Sequence, residues 1–157
     1  GRTPWHYDDH HFPLDTNDVV TAWIPAQPTP VEMGPLSFAY PLEVHKLVNA
    51  VKFEKAGAGY DRGVSEVFAK NDVTINETPF ELGEVSFHHN LNFHTASQNR
   101  TNRSRVVLAN TYYKDGARVI NSPTMISGDW QKFMPNVKPG DLAASPLNPI
   151  CWPIDDK

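Results

Sequence analysis

The pattern of apolar and polar positions predicts a chain of short strands joined by loops. Helical periodicity is weak, and 14 prolines with 9 glycines interrupt the chain at short intervals. Only the stretch from Asp61 to Ala69 has the capping residue and apolar spacing of a short helix. Runs rich in β-branched and aromatic residues predict five or six strands, the clearest at residues 19–24, 36–40, 73–75, 84–88 and 105–113. We therefore predict a mainly β fold in a single domain that covers residues 1–157.

Charge and composition argue against two classes of partner. The formal net charge is -4, and lysines and arginines are scattered singly, so nothing indicates binding to nucleic acid. The longest apolar runs, such as Val19 to Pro25, fall far short of the roughly 20 residues that span a bilayer, so we expect no membrane partner. The one cysteine, Cys151, cannot form an internal disulfide. We expect Cys151 to be a small buried residue and the protein to be cytoplasmic.

Six of the 7 histidines fall in two clusters, His6, His10 and His11 and then His88, His89 and His94. His6 and Asp8 are two positions apart, and extended backbone directs such side chains to one face, where both can bind one metal ion. A third ligand from the second cluster, His94 or its competitor His89, would complete a set of two histidines and one carboxylate. This set leaves three positions of an octahedral metal open, as non-haem Fe(II) requires, whereas structural zinc prefers four protein ligands. We expect the other clustered histidines to surround the site or lie on the surface.

Arg105 lies eleven residues beyond His94, at the head of the longest predicted strand. Alternation directs it to the same face as Val107 and Thr111, and an inward-facing arginine requires an anion. A planar guanidinium binds a carboxylate through two parallel hydrogen bonds, which suits the distal carboxylate of 2-oxoglutarate. The eleven-residue step favours His94 over His89 as the third ligand. Arg103, two residues earlier on the same face, remains the alternative to Arg105.

Several motifs together resemble the phytanoyl-CoA dioxygenase family. Residues 3–8, followed by Phe12-Pro13 and residues 20–24, resemble the first metal motif and the next strand of that family. Residues 32–36 resemble its next turn and strand, and residues 83–105 resemble its second metal motif. Asp115-Gly116 and residues 139–149 are also similar to bacterial members. The resemblance covers nearly the whole chain, and the order and spacing of the motifs agree.

The resemblance implies an Fe(II)/2-oxoglutarate-dependent dioxygenase with a double-stranded β-helix, the jelly roll of cupin-like proteins. Such an enzyme would consume O₂ and hydroxylate a small organic or acyl substrate, with release of succinate and CO₂. Relatives often carry a hydroxyl residue two positions after the second metal histidine, where this chain has Ala96. By the resemblance, iron is bound by His6, Asp8 and His94, 2-oxoglutarate is anchored by Arg105, and Trp23 and Thr21 line the co-substrate site.

The predicted strands are fewer than the eight of such a fold. We therefore expect the first strands and the N-terminal helices to be missing, and a homodimer to cover the exposed sheet edges. The alternative to an active enzyme is a non-catalytic metal-binding module of cupin type, which Ala96 and the missing strands favour. Asp8 argues against a halogenase, which needs a small residue there to admit chloride. Where many relatives have Gly-Ser-His after the central strand, this chain has Leu42-Glu43-Val44-His45, and we interpret His45 as structural or solvent-exposed.

Overall fold

Seven strands form two antiparallel sheets in the computed structural model, which describes residues 1–53, 59–121 and 128–151. The strands are β1 (Thr3–His6), β2 (Val19–Pro25), β3 (Leu36–Tyr40), β4 (Thr74–Glu77), β5 (Ser86–His89), β6 (His94–Ala96) and β7 (Val107–Tyr113). Two α-helices, α1 (Val44–Leu47) and α2 (Gly59–Lys70), lie between β3 and β4. The predicted mainly β fold is confirmed.

Strand β2, which carries the predicted site residues Thr21 and Trp23, is the central strand of its sheet. One sheet has the order β1-β6-β3-β4, and the other has the order β5-β2-β7. Alternation along β2 turns Val19, Thr21 and Trp23 to one face. In the register of β2 and β5, Thr21 lies opposite His88 and Trp23 lies opposite Ser86. Side chains from two neighbouring strands therefore meet on one face of this sheet.

Three apolar clusters hold the elements together. The first contains Trp130 and Met134 from the C-terminal part of the chain, which pack against Val19 of β2. The second buries the stripe of α2, namely Tyr60, Val64 and Phe68, against Phe93, Val44 and neighbouring residues. The spacing of this stripe, one residue every four positions, is that of one helix face. The third cluster adjoins the candidate site and consists of Trp23, Leu36, Phe80 and Ala96.

The structure differs from several sequence-based expectations. Cys151 is exposed, so the prediction of a small buried residue is wrong. Strand β7 begins at Val107, so Arg105 lies in the loop before it and strand alternation does not set its direction. Among the described residues, β1 and β4 are the edge strands of one sheet, and β5 and β7 are the edge strands of the other. The single domain over residues 1–157 and the homodimer stay predictions. None of the helices in the described part of the chain is long and apolar enough to cross a membrane.

Candidate metal centre

The pairing of β1 with β6 brings together two histidines that are far apart in the sequence. His6 is the last residue of β1, His94 is the first of β6, and the two are register partners. Their ring centroids lie 4.2 Å apart. Asp8 begins the 3-10 helix Asp8–His11, and Tyr7 before it has extended backbone, with φ -128 and ψ 148. The extended residue carries Asp8 back to the face that holds both imidazoles, as the two-residue spacing predicts.

One atom from each side chain is available for a metal ion. Asp8 Oδ1 lies 3.5 Å from Nε2 of His6 and 3.8 Å from Nε2 of His94, and one ligand atom from each of the three residues lies within 4.8 Å of the others. Atoms bound at about 2.1 Å to one octahedral ion lie about 3 Å apart in neighbouring positions. A small contraction therefore brings this set onto a metal ion.

The hydrogen bonds of the two imidazoles leave the correct nitrogen for a metal. Nδ1 of His6 lies 2.8 Å from the carbonyl oxygen of Pro4, and Nδ1 of His94 lies 2.9 Å from that of Asn92. A carbonyl accepts only, so each Nδ1 carries the hydrogen and each Nε2 has a free lone pair. Metal-binding histidines are held in this way by carbonyl or carboxylate partners. The donor set fits a divalent transition metal.

The environment of the site also favours the ionisation states that metal binding needs. Burial raises the pKa of Asp8, but the imidazoles of His6, His88 and His94 around the carboxylate outweigh burial and hold that pKa well below its usual range. Burial, together with the neighbouring His6, lowers the pKa of His94 to about 4, against the opposing effect of Asp8. At neutral pH the site therefore offers a carboxylate and an unprotonated imidazole, which are the forms that bind metal.

Asn90 fixes the turn that carries Asp8. Its carbonyl oxygen accepts from the backbone N–H groups of Asp8 at 2.8 Å and Asp9 at 3.2 Å, and its own N–H donates to Val19 of β2 at 3.1 Å. Its side-chain amide donates to Asp9 Oδ1 at 3.2 Å, and the residue is only 1% exposed. Sequence reasoning missed Asn90. Its place inside the second histidine cluster was the available signal.

Arg105 is half-buried and has no carboxylate partner among the described residues. Its Nη1 donates to the carbonyl oxygen of Gly34 and lies 3.4 Å from that of Met33. Burial lowers its pKa. None of the ion pairs in the described ranges includes Arg105, so its charge is available to an external anion. Arg103, the alternative from the sequence, is exposed.

The remaining predicted site residues lie on the inner face of β2. Trp23 is buried, and its ring lies 4.9 Å from that of Phe80 within the third apolar cluster. Thr21 Oγ1 lies 3.5 Å from Asp8 Oδ2 and 3.0 Å from Thr111 Oγ1. Thr21 thus contacts the candidate metal ligand Asp8 directly, in addition to its predicted place beside the co-substrate.

The two other histidines of the second cluster point in opposite directions from β5. His88 is buried, and its Nε2 lies 3.4 Å from Asp8 Oδ2. His89, the competitor for the third ligand, is paired with Val20, and its Nδ1 accepts from the N–H of Leu91 at 3.1 Å. Among the described residues the metal-ligand set contains His94 and not His89. From the sequence alone, His88 and His89 could not be assigned different roles.

A small pocket with a volume of about 40 Å³ adjoins the ligand candidate His6. Its lining is polar and aromatic and includes His6, Tyr7, His10, Asn49, Phe53 and Phe93. Tyr7 Oη contacts His10 Nε2 and lies 3.3 Å from Asn49 Oδ1. His45 lies behind Tyr7, buried, and its Nδ1–H donates to the carbonyl oxygen of Leu42 at 2.7 Å, which agrees with the structural interpretation. The pocket has room for only a few water molecules, and it reaches a candidate ligand of the metal centre.

Fold and site together define a mainly β protein with a two-histidine, one-carboxylate metal centre. The chain belongs to the phytanoyl-CoA dioxygenase family, whose model, described as Phytanoyl-CoA dioxygenase (PhyH), matches residues 1–107. This match includes every predicted site residue, from His6 to Arg105.

Two solved structures with similar folds come from one biosynthetic route. The non-heme alpha ketoglutarate dependent carbocyclase SnoK from nogalamycin biosynthesis is 25% identical, with a TM-score of 0.69 over 94% of this chain and 55% of that one. The epimerase SnoN of the same route is 23% identical, with a TM-score of 0.68 over 94% of this chain and 54% of that one. SnoN has also been solved in complex with Fe3+, alpha ketoglutarate and nogalamycin RO. The chain thus spans about half the length of these relatives. A search of curated proteins finds no significant match.

Proposed function

We propose that this chain carries the active site of a non-haem Fe(II)/2-oxoglutarate-dependent dioxygenase that hydroxylates a small organic substrate. The observation that carries the proposal is the set of His6, Asp8 and His94, with both Nδ1 atoms bonded to carbonyl oxygens. Three protein ligands leave three positions of an octahedral ion open for a bidentate co-substrate and O₂. When bound, Fe(II) and 2-oxoglutarate supply the oxidation, which converts the co-substrate to succinate and CO₂.

Arg105 supports 2-oxoglutarate as the co-substrate. The guanidinium is held by the carbonyl oxygens of Gly34 and Met33, and no carboxylate of the described residues neutralises it. An arginine in this state binds a carboxylate through charge-assisted hydrogen bonds. A binding module of cupin type has no need of such an arginine, so Arg105 favours the oxygenase over that alternative. Trp23 would exclude water from the co-substrate, since its ring is buried beside Phe80.

We infer that the substrate approaches the metal centre from the side of the small pocket beside His6. Tyr7 and Asn49 offer hydrogen bonds there, and Phe53 and Phe93 offer apolar contact. The chain's task is to hold the reacting carbon close to the metal and to exclude water. SnoK is a carbocyclase and SnoN an epimerase, so related folds support oxidations other than hydroxylation. Hydroxylation is proposed because Asp8 fills the position that a halogenase keeps small.

The test is an anaerobic titration of the protein with Fe(II) and 2-oxoglutarate, followed by visible absorption. A weak charge-transfer band from the iron chelate is expected in the wild-type chain and should disappear in His94→Ala. His89→Ala is the matched control, because that histidine ends β5, five residues before His94, and lies outside the candidate ligand set. A band of equal strength in His94→Ala would contradict the assignment of the site. No band in the wild type would favour the non-catalytic module.

A further inference from the structure

Three histidine rings, not two, surround Asp8. His88 is only 6% exposed, its ring centroid lies 4.6 Å from that of His94, and its Nε2 lies 3.4 Å from Asp8 Oδ2. It does not belong to the set of side chains whose ligand atoms lie within 4.8 Å of one another. His88 therefore faces the second carboxylate oxygen, Oδ2, and lies outside the candidate ligand set.

The two oxygens of Asp8 have different surroundings. Oδ1 faces Nε2 of His6 and of His94, at 3.5 and 3.8 Å. Oδ2 faces Nε2 of His88 at 3.4 Å and Oγ1 of Thr21 at 3.5 Å. His88 and Thr21 are register partners on β5 and β2, so the sheet presents both donors to the same oxygen. The metal-facing oxygen and the sheet-facing oxygen are thus separated by the fold.

The hydrogen bonding of His88 indicates what fixes this ring. Asp8 is a carboxylate with imidazole nitrogens around it, so its oxygens accept and Nε2 of His88 donates. Nδ1 of His88 is buried and has no hydrogen-bond partner within the described part of the chain. A buried polar atom without a hydrogen-bond partner, such as this Nδ1, lowers the stability of the fold. An apolar residue at position 88, which lies beside Phe38, would not have this cost. The contact with Asp8 is therefore the one polar interaction that accounts for a histidine here.

We propose that His88 is a positioning residue that holds Oδ2 of Asp8 so that the carboxylate offers the metal Oδ1 alone. The inference rests on the proposed metal site and deepens it. A carboxylate that binds through both oxygens would take one of the three positions that a bidentate co-substrate and O₂ need. With Oδ2 engaged by His88 and Thr21, Asp8 is held to one metal bond and those positions stay open. The sheet thus sets the coordination number of the site.

The test is titration of the metal-free wild type and of His88 variants with Co(II), whose visible spectrum reports affinity and coordination number. His88→Leu should raise the Co(II) dissociation constant about 10- to 100-fold, the usual effect of losing a partner of a metal ligand. His88→Gln should restore most of the affinity, because its amide NH₂ reaches the position of Nε2. His88→Asn should not, because its amide ends at the position of Nδ1. His89→Asn is the matched control, since its amide oxygen can still accept from Leu91.

A merely structural role would lower the unfolding midpoint of the metal-free protein and leave the Co(II) affinity of the folded fraction unchanged. The proposal is overturned if folded His88→Leu keeps wild-type affinity, or if the Gln and Asn variants bind Co(II) equally. If the leucine variant does not fold, the comparison of Gln with Asn decides. A wild type that binds Co(II) but gives no Fe(II)/2-oxoglutarate band would contradict the oxygenase while the His88 comparison still holds. A wild type that binds no Co(II) would overturn both.

Discussion

The substitution Gly34→Ala should damage both the stability of the chain and its binding of 2-oxoglutarate. Gly34 follows the short 3-10 helix Val31–Met33 with φ 73 and ψ 64, a left-handed conformation that favours glycine. A Cβ there would lie 2.1 Å from the carbonyl oxygen of Ser97 and 3.1 Å from Nη1 of Arg105. Ordinary contact between nonbonded atoms needs about 3.5 Å. The new methyl group must therefore push the backbone of Ser97 and the guanidinium away.

The magnitude follows from two separate costs. The left-handed conformation costs an alanine about 1–2 kcal/mol. Overpacking against backbone that cannot rotate away adds about 1–3 kcal/mol. We expect Gly34→Ala to lower the free energy of unfolding by about 2–5 kcal/mol in urea titrations of the metal-free protein. The concentration of 2-oxoglutarate that half-saturates the Fe(II) chelate band should rise as well, because the Gly34 carbonyl holds Arg105.

Gly116→Ala is the matched control for this prediction. Gly116 has a φ of 82, close to that of Gly34, but a Cβ there meets nothing within 4 Å. It should show the conformational cost of about 1–2 kcal/mol alone and leave the 2-oxoglutarate requirement unchanged. Equal losses of stability in the two variants would refute the close approach of Gly34 to Ser97. A wild-type requirement for 2-oxoglutarate in Gly34→Ala would refute its support of Arg105.

Three further predictions concern the site and its frame. Arg105→Ala should raise the half-saturating 2-oxoglutarate concentration about 100-fold, because two charge-assisted hydrogen bonds of about 1.5 kcal/mol each are lost. An unchanged half-saturating concentration in the chelate-band titration would rule out Arg105 as the anchor. The metal-free protein should lose stability as pH falls from about 6.5 through about 4, because the folded state lowers the pKa of His94 and protonation favours the unfolded chain. Urea midpoints measured against pH should show a shallower decline in His94→Gln, and equal slopes would contradict this. Tyr60→Phe should lower the free energy of unfolding in urea by about 1 kcal/mol, because Tyr60 Oη donates to the Trp5 carbonyl oxygen at 2.8 Å. An unchanged free energy of unfolding would show that this hydrogen bond does not stabilise the fold.

The sequence predicted the elements that carry strong local patterns. Strand β3 has the predicted bounds, β2 extends one residue further, and α2 covers the predicted helix with a short extension at each end. Strands β1 and β6 were not predicted, because they have only four and three residues and their pairing joins distant parts of the chain. Local composition carries little information about such pairing.

The candidate ligand set could be proposed from the sequence, whereas its surroundings could not. The two-residue spacing of His6 and Asp8 and the step from His94 to Arg105 are visible in the sequence. The contact of His88 with Asp8 depends on the register of β5 with β2, which a slip of one residue would reverse. The predicted inward direction of Arg105 rested on strand alternation, but the structure holds that side chain through the Gly34 carbonyl.

The register partnership of His6 and His94 has a consequence for biosynthesis. With roughly 90 residues between the partners, a ribosome that adds about 5–20 residues per second delivers His94 about 5–18 s after His6. During that interval β1 has no partner strand, and His6 and Asp8 form only two thirds of the ligand set. Non-local strand pairing is also slow to form once both segments exist. The complete set of three candidate ligands therefore cannot form before β6 has been synthesised and has paired with β1.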